Sequence, residues 1–360
     1  MTHKLDRYLF LRLLTITVFV LAVLIFIFIV IDFSENSDDF TDKGATFAEI
    51  FGQYYLNYIP EMTRLVIPVA IFVACLYLTG QMADRLEIVA LKAAGISLYR
   101  LLIPYLAFGL LMAGIISYLD GFVIPNSNAQ RIEFEKKYLQ SKNQNVDSDQ
   151  IYRQDSENNI YKFQYYSPKD SLARRIQTTK FEGDSVVETA DIARMKWMPE
   201  TKQWRMLNVR RRQYVPNGYV DEHVDTMIVS LSIYPQDLAR TSSDIYQLTY
   251  PEAQDYIESL QRSGATGISL PKIQFYGRLA YPISIIVVSI IGFSIASVRR
   301  KGGKGFYIAA GLTISFLYLA FMKVIEPFGA EGAIEPIIAA LLPHTFFFIV
   351  GLGLLFSARK

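Results

Sequence analysis

The chain has 360 residues, 51% of them hydrophobic and 19% charged, and its 36 Lys and Arg against 34 Asp and Glu leave a formal net charge of +2. Mean hydropathy is +0.22, and the apolar residues are gathered in a few long runs, the signature of a polytopic membrane protein and not of one soluble domain. The small net charge, with no basic patch interleaved with aromatics, gives no support to nucleic-acid binding.

A bilayer core of about 30 Å is crossed by roughly 20 apolar residues in helical form. Six runs meet that length: 9–31, 59–82, 101–123, 273–298, 306–325 and 336–356. The first exceeds the roughly 7–15-residue core of a signal peptide and is followed by "DFSEN" with no small-x-small cleavage site, so it reads as a retained span. Lys4, Arg7 and Arg12 flank it; Arg85, Lys92 and Arg100 follow the second span; Arg299, Arg300, Lys301 and Lys304 follow the fourth; Arg359 and Lys360 end the chain. All fall on one side, which the positive-inside rule makes cytoplasmic, together with both termini. The opposite loops, "DFSENSDDFTDKG" and "EPFGAEGAIEP", hold Lys43 as their only basic residue.

Between the third and fourth spans lies a polar stretch of about 150 residues, long enough for a domain of its own and expected outside the cytoplasm. The segment 121–142 continues the third span outward, with a break near Pro125 and then a charged, helix-like run. After it come "NIYKFQYY", "RRIQTTKF", "SVVETADIARMKWM", "QWRMLNVRRRQYV" and "HVDTMIVSLSIY", rich in β-branched and aromatic residues with much period-2 alternation. Short strands at near-regular spacing predict an all-β sandwich or jelly roll. A helix then leads back to the membrane: in "TYPEAQDYIESLQRSG" Thr249 is placed as N-cap, Glu252 as its capping-box partner, Gly264 as a stop, and Ala253, Ile257 and Leu260 as the apolar stripe. The expected fold is therefore an α+β membrane protein with residues 1–123 as helices one to three, 124–272 as an inserted jelly-roll-like domain with flanking helices, and 273–360 as helices four to six. Cys75, the one cysteine, lies in the second span, so the inserted domain has no disulfide.

Motifs for intrinsic catalysis are missing. No G-x-x-x-x-G-K-[ST] phosphate cradle occurs, and "RRKGGKGF" has neither its spacing nor its Ser or Thr. His3, His223 and His344 share no metal-ligand spacing, and His344 reads as a packing or interhelical hydrogen-bonding residue. No G-x-S-x-G occurs. Ionisable residues near spans each need a reason: Glu61 and Arg64 sit one helical turn apart, as do Lys323 and Glu326. Both read as intrahelical ion pairs, with the alternative that Arg64 faces a cavity and meets an anionic substrate.

The stretch "DRLEIVALKAAGISLYRLL", residues 84–102, carries Leu86, Val89, Ala90 and Ala93 at helical spacing, charges at Arg85, Glu87 and Lys92, and Gly95 as a stop. Reversing direction needs only a few residues, so a helix over 84–100 is either a docking element for a partner's groove or a simple interfacial helix.

Three spans, a strand-rich domain and three more spans resemble the lipopolysaccharide-export permeases, the paired membrane subunits LptF and LptG. The resemblance covers essentially the whole chain and rests on "LDRY" at 5–8, "RLEIVALKAAGIS" at 85–97, "TKQWRM" at 201–206 and "ALLPHTFFF" at 340–348; the first and last are more similar to the LptG type. It implies a bacterial inner-membrane half-transporter with its large domain in the periplasm, paired with an LptF-like second permease subunit. An LptB-like ATPase dimer would use ATP and Mg, this chain binding no cofactor directly, and an LptC-like single-span protein would complete the assembly. It also implies that 84–100 is the coupling helix, making Arg85, Glu87, Leu91, Lys92 and Gly95 the ATPase-facing residues, and that the dimer takes lipopolysaccharide laterally from the membrane.

The carrier of a phosphorylated lipid needs cations near the outer interface. The family's LptG type carries lysines after the first span, whereas this chain has Asp32, Glu35, Asp38 and Asp39 there. Three explanations compete: phosphate contact has moved to Lys43, Arg64 or the segment with Arg131, Lys136 and Lys137; divalent cations bridge acid to phosphate; or the substrate carries fewer phosphates. Two other functional classes stand beside the permease: a mechanotransmission or assembly subunit that carries no lipid itself, and a membrane-anchored binding module.

Overall fold

Long unbroken apolar runs with few helix breakers form long helices, and the β-branched segments form strands. The structure, a computed structural model, describes residues 2–139, 151–156, 158–167, 170–183, 185–216, 218–235, 238, 242–262, 267–298 and 303–358. The chain divides into two compact units, a helical one (Met1–Gln140, Tyr246–Tyr250, Lys272–Lys360) and a β one (Ser141–Ile245, Pro251–Pro271). The expected stop at Gly264 and the basic residues Arg299, Arg300, Lys301, Arg359 and Lys360 lie outside the described residues.

In the helical unit α1 (Thr2–Asp42) runs on past its apolar stretch, so the acidic segment expected as a loop is its last turns. A capping box between Thr46 and Glu49 opens α2 (Phe47–Asp84), which contains a π-helical segment at Ile50–Tyr55. The short α3 (Glu87–Ala93) leads to α4 (Leu98–Tyr118), which passes through a second π segment, Leu119–Val123, into α5 (Ile124–Tyr138). Pro125 makes no break because it sits in the first turn of α5, where its missing N–H costs nothing. After the β unit and α6 (Tyr250–Arg262) come α7 (Ser269–Ala280) and α8 (Ile283–Ala296), bent by 48° at the turn before Pro282, then α9 (Gly303–Ala330) and α10 (Pro336–Ser357). Among the described residues, five helices are long and apolar enough to cross a membrane, or six when α7 and α8 count as one bent span.

Nearly all of α8 is buried. Two of its hydroxyls bond back to the helix, Ser289 Oγ to the Ile285 carbonyl and Ser294 Oγ to that of Ile290, both at 2.7 Å. Its Gly292 lets α2 approach closely: a Cβ there would lie 2.8 Å from the Phe72 ring and 2.9 Å from Cys75 Cβ. Two sequence expectations hold: Lys323 Nζ meets Glu326 Oε2 at 2.7 Å, and buried His344 joins α10 to α9 through Nδ1, 2.6 Å from the Tyr318 hydroxyl.

The β unit differs from the expected sandwich. Its strands β1 (Ile151–Ser156), β2 (Asn159–Ser167), β3 (Leu172–Glu182), β4 (Ser185–Met198), β5 (Gln203–Val215) and β6 (Gly218–Val229) form one antiparallel sheet in sequence order, the only sheet among the described residues. In place of a second sheet, Leu231, Ile233 and Leu238 cover its apolar face, and buried Trp204 donates from Nε1 to the Ile233 carbonyl at 2.7 Å. α6 buries Ala253, Tyr256, Ile257 and Leu260, the expected stripe plus one aromatic.

Strict alternation fails along one line across this sheet. Inward residues are three apart in five successive strands: Phe163 and Tyr166, Ala173 and Ile176, Ile192 and Met195, Met206 and Val209, Val224 and Met227. Each group is in register, Phe163 with Ile176, Ile176 with Ile192, Ile192 with Val209 and Val209 with Val224. Two residues per strand between these rows therefore face outward or sit at the surface, and the phase is reset by left-handed backbone at Arg175 (φ 52°) and Asn208 (φ 55°). The result is a crease running across the outer face.

Candidate functional site

The two ends of α2 carry the features that bear on function. At its C-terminal end the chain turns through Leu86 in the left-handed region (φ 60°) into α3. A Schellman closure ends α3: Gly95 (φ 84°) donates to the Lys92 carbonyl and Ile96 to that of Leu91, each at 3.0 Å. Ile88 is buried in the bundle core and Leu91 packs against it. The opposite face is apolar yet open: Leu86 is 49% and Val89 58% exposed, with Ala90, Lys92 and Ala93 beside them. The stripe read from the sequence thus points outward, while Leu91, expected to meet a partner, points into the bundle. Arg85 and Glu87 flank the open face, 3.8 Å apart. Nearby, the Arg100 guanidinium clamps both carboxylate oxygens of Asp6 and ties α4 to α1.

About 20 residues earlier on α2, hence roughly 30 Å away along the helix, lies a buried ion cluster. Arg64 does not pair with Glu61; its Nε lies 3.1 Å from Asp120 Oδ1, and Glu61 instead binds Arg131. Asp120 sits in the second π segment, 2% exposed, and its other oxygen faces Arg278 of α7 at 3.6 Å. Arg278 also donates to the carbonyls of Asp120 and Leu248. Tyr281 donates to the Arg64 carbonyl at 2.8 Å, and its ring lies under the Arg64 guanidinium. Gly121 is needed here because a Cβ would sit 2.6 Å from the Tyr250 ring. The cluster joins α2, the π segment after α4, α7 and the segment Tyr246–Tyr250, which belongs to the helical unit. Asp120 and Arg278 were not singled out in the sequence, although both are charges within or beside apolar runs, the signal that drew attention to Arg64.

The other expected lipid-contacting residues are dispersed. Arg131 is held by Glu61 and by Glu135 (3.1 Å), and Lys137 lies 3.5 Å from Glu49 and over the Tyr138 ring. The Lys136 side chain lies outside the described residues. Lys43 is exposed and makes no ion pair among them. Of the unexpected acids, Asp32 has an internal role: it accepts from Tyr54 (3.2 Å) and Tyr55 (3.0 Å), fastening α1 to the first π segment within an aromatic cluster of Phe40, Phe134 and Tyr138.

Comparison with known proteins adds the decisive observation. The family model described as lipopolysaccharide export system permease LptF/LptG matches residues 7–357. The chain belongs to the LptF/LptG permease family. It is 20% identical to the lipopolysaccharide export system permease protein LptG of Escherichia coli strain K12 over 363 residues, covering 98% of this chain and 97% of that one. It is also 20% identical to the LptG protein of Haemophilus influenzae over 294 residues, 81% of each. As an LptF/LptG permease it is a multi-pass membrane protein of the lipopolysaccharide export system. Within that family frame, α3 is the short helix between two spans and the Arg64–Asp120–Arg278 cluster lies at the other end of the bundle.

Proposed function

We propose that the protein is the non-hydrolytic permease subunit of an ATP-driven lipopolysaccharide exporter of the bacterial inner membrane. It pairs with a second, LptF-like permease and is powered by an LptB-like ATPase dimer that uses ATP and Mg at α3, with an LptC-like protein as a further partner. The observation that carries this reading is the open apolar face of α3: a helix that buries Ile88 and leaves Leu86 and Val89 in solvent is a surface for another protein's groove. Arg85, Glu87 and Lys92 rim that face, and Gly95 sets its exit angle. The distribution of Lys and Arg among the short loops supports an orientation with α3 and both termini in the cytoplasm and the β unit in the periplasm.

Force from the ATPase would travel along α2 to the Asp120 cluster, which ties α2 to α7 within the helical unit. Because Arg64 and Arg131 are engaged by carboxylates of their own chain, a second reading, a subunit that transmits force without carrying lipid in its own wall, has a specific observation in its favour. Two measurements on the reconstituted exporter test these readings. Val89→Glu and Glu87→Arg are expected to keep membrane insertion but reduce ATPase co-purification and ATP-dependent lipopolysaccharide release; normal levels of both would overturn the docking assignment. Photocrosslinking from Lys43, exposed at the end of α1, is expected to capture lipopolysaccharide under the permease reading and nothing under the second.

A further inference from the structure

A group of cations without ion-pair partners among the described residues lies around the crease. Further along β5, Arg211 is paired with Glu188 (3.1 Å) and Arg212 with Asp221 (2.7 Å). Around the crease, Lys162, Arg174, Arg175, Arg194 and Arg210 form no ion pair among the described residues. Arg174 and Arg194 stand directly opposite each other on neighbouring strands, an arrangement of like charges that is unfavourable unless an anion lies between them. Arg175 adds left-handed backbone (φ 52°) at the same place, a strain of the kind kept at binding sites.

The crease encloses an open concavity of about 570 Å³, within the range of ligand sites. Its walls are mixed, with Ile176, Ile192 and Ala193 set among polar residues. Lys162, Arg175 and Arg210 supply charge, and Gln164, Gln177 and Asn208 supply amides suited to hydroxyls. Asp191 is held by the Gln177 amide at 3.1 Å and adds an acceptor. Beside it Tyr165, 49% exposed under the Arg174 guanidinium, offers a ring for stacking. Cations, amides and a few apolar side chains together suit a polyhydroxylated anion.

We infer that the creased outer face of the sheet binds the phosphate-bearing sugar portion of the exported lipopolysaccharide, with Arg175 and Arg210 in the concavity and Arg194 on the strand line beside it meeting phosphate, and the amides meeting hydroxyls. Planar guanidiniums bind phosphate in two-point fashion, and the cations outnumber Asp191, the one carboxylate lining the concavity, which the Gln177 amide already engages. The inference rests on the reading of this chain as a lipopolysaccharide permease and assigns to its β unit a contact with the polar half of the substrate.

The test uses the full chain with its export partners in nanodiscs. The probe is lipopolysaccharide oligosaccharide stripped of acyl chains by alkaline hydrolysis, titrated before and after phosphatase treatment. The triple variant Arg175→Asn, Arg194→Gln, Arg210→Gln removes the charge while Asn tolerates the left-handed backbone. The phosphorylated probe is expected to bind wild type and to lose at least about tenfold in affinity to the triple variant and on phosphatase treatment, the scale of one lost charge-assisted hydrogen bond. Arg194→Gln alone is expected to give a partial loss with an unchanged aromatic circular-dichroism signal, which separates charge from folding. Equal affinity of wild type and triple variant, indifference to phosphatase, or occupation of the face by an acidic protein that excludes the probe would overturn the inference. If the wild-type assembly delivers lipopolysaccharide to an acceptor while probe binding ignores the triple variant, only the surface assignment fails; if it delivers none, the permease reading fails.

Discussion

Arg64 Nε lies 3.1 Å from Asp120 Oδ1, so a guanidinium one turn from a carboxylate on its own helix reaches across to a different helix. Glu61 is left to Arg131, and two interhelical pairs replace the one intrahelical pair that local spacing suggests. A single buried carboxylate thereby serves both Arg64 and Arg278. Asp120→Asn is expected to destabilise the helical unit by about 3–5 kcal/mol, the cost of leaving a buried charge without its partner. Arg64→Leu combined with Asp120→Leu should cost less than the sum of the two single changes. Thermal unfolding of the detergent-solubilised protein measures both; additive losses would argue against the pairing.

Gly292 marks the closest approach of α8 to α2. With Phe72 and Cys75 already within 3 Å of where a Cβ would sit, Gly292→Val has no room unless the helices separate. Overpacking of this kind costs about 1–3 kcal/mol. The same substitution at Gly353, where nothing lies within 4 Å of the added carbon, is the control. A fall in melting temperature for the first and not for the second is the expected result.

Trp204 is buried in the β unit and bonds the Ile233 carbonyl of the segment that replaces a second sheet. Trp204→Phe keeps an aromatic ring but leaves that carbonyl without its donor, an expected loss of about 1–3 kcal/mol. Hydrogen exchange should report the change first at residues 231–235. Unchanged protection there would mean that apolar packing by Leu231 and Ile233 alone holds the segment.

Asp221 and Arg212 form an exposed two-point pair between β5 and β6, at 2.7 and 2.9 Å. The hydrogen bonds from Arg212 hold the Asp221 carboxyl below its ordinary value. A lowered carboxylate value contributes stability that is present above the unfolded value of about 3.9 and is lost as pH falls through the folded one. Carboxyl NMR should therefore show Asp221 titrating below about 3.9, and Arg212→Gln should raise it. A titration unaffected by that substitution would remove the pair as its cause.

The helical unit was largely legible from residue order. Apolar runs of bilayer length became long helices, Gly95 ended α3 as expected, and Lys323–Glu326 paired within one turn, because each depends on neighbours a few residues away. The α3 stripe was found from its period, but the period alone could not tell which face meets water, since Ile88 and Leu91 form a second apolar face one position round the helix. Of the expected lipid contacts, Arg64 and Arg131 are occupied by Asp120 and Glu61, partners 56 and 70 residues distant in sequence by simple subtraction.

What residue order determined by itself is the number and placement of apolar runs, the strand-rich insertion and the sidedness of charge, all consequences of local composition and of the cost of placing charge in hydrocarbon. Tertiary structure decided which carboxylate neutralises which guanidinium, that the described residues of the β unit form one sheet packed by Leu231, Ile233 and Leu238, and that five strands slip phase along a single line. These are non-local outcomes: an ion pair forms where three-dimensional packing buries its members together, and a crease exists only when neighbouring strands align their exceptions.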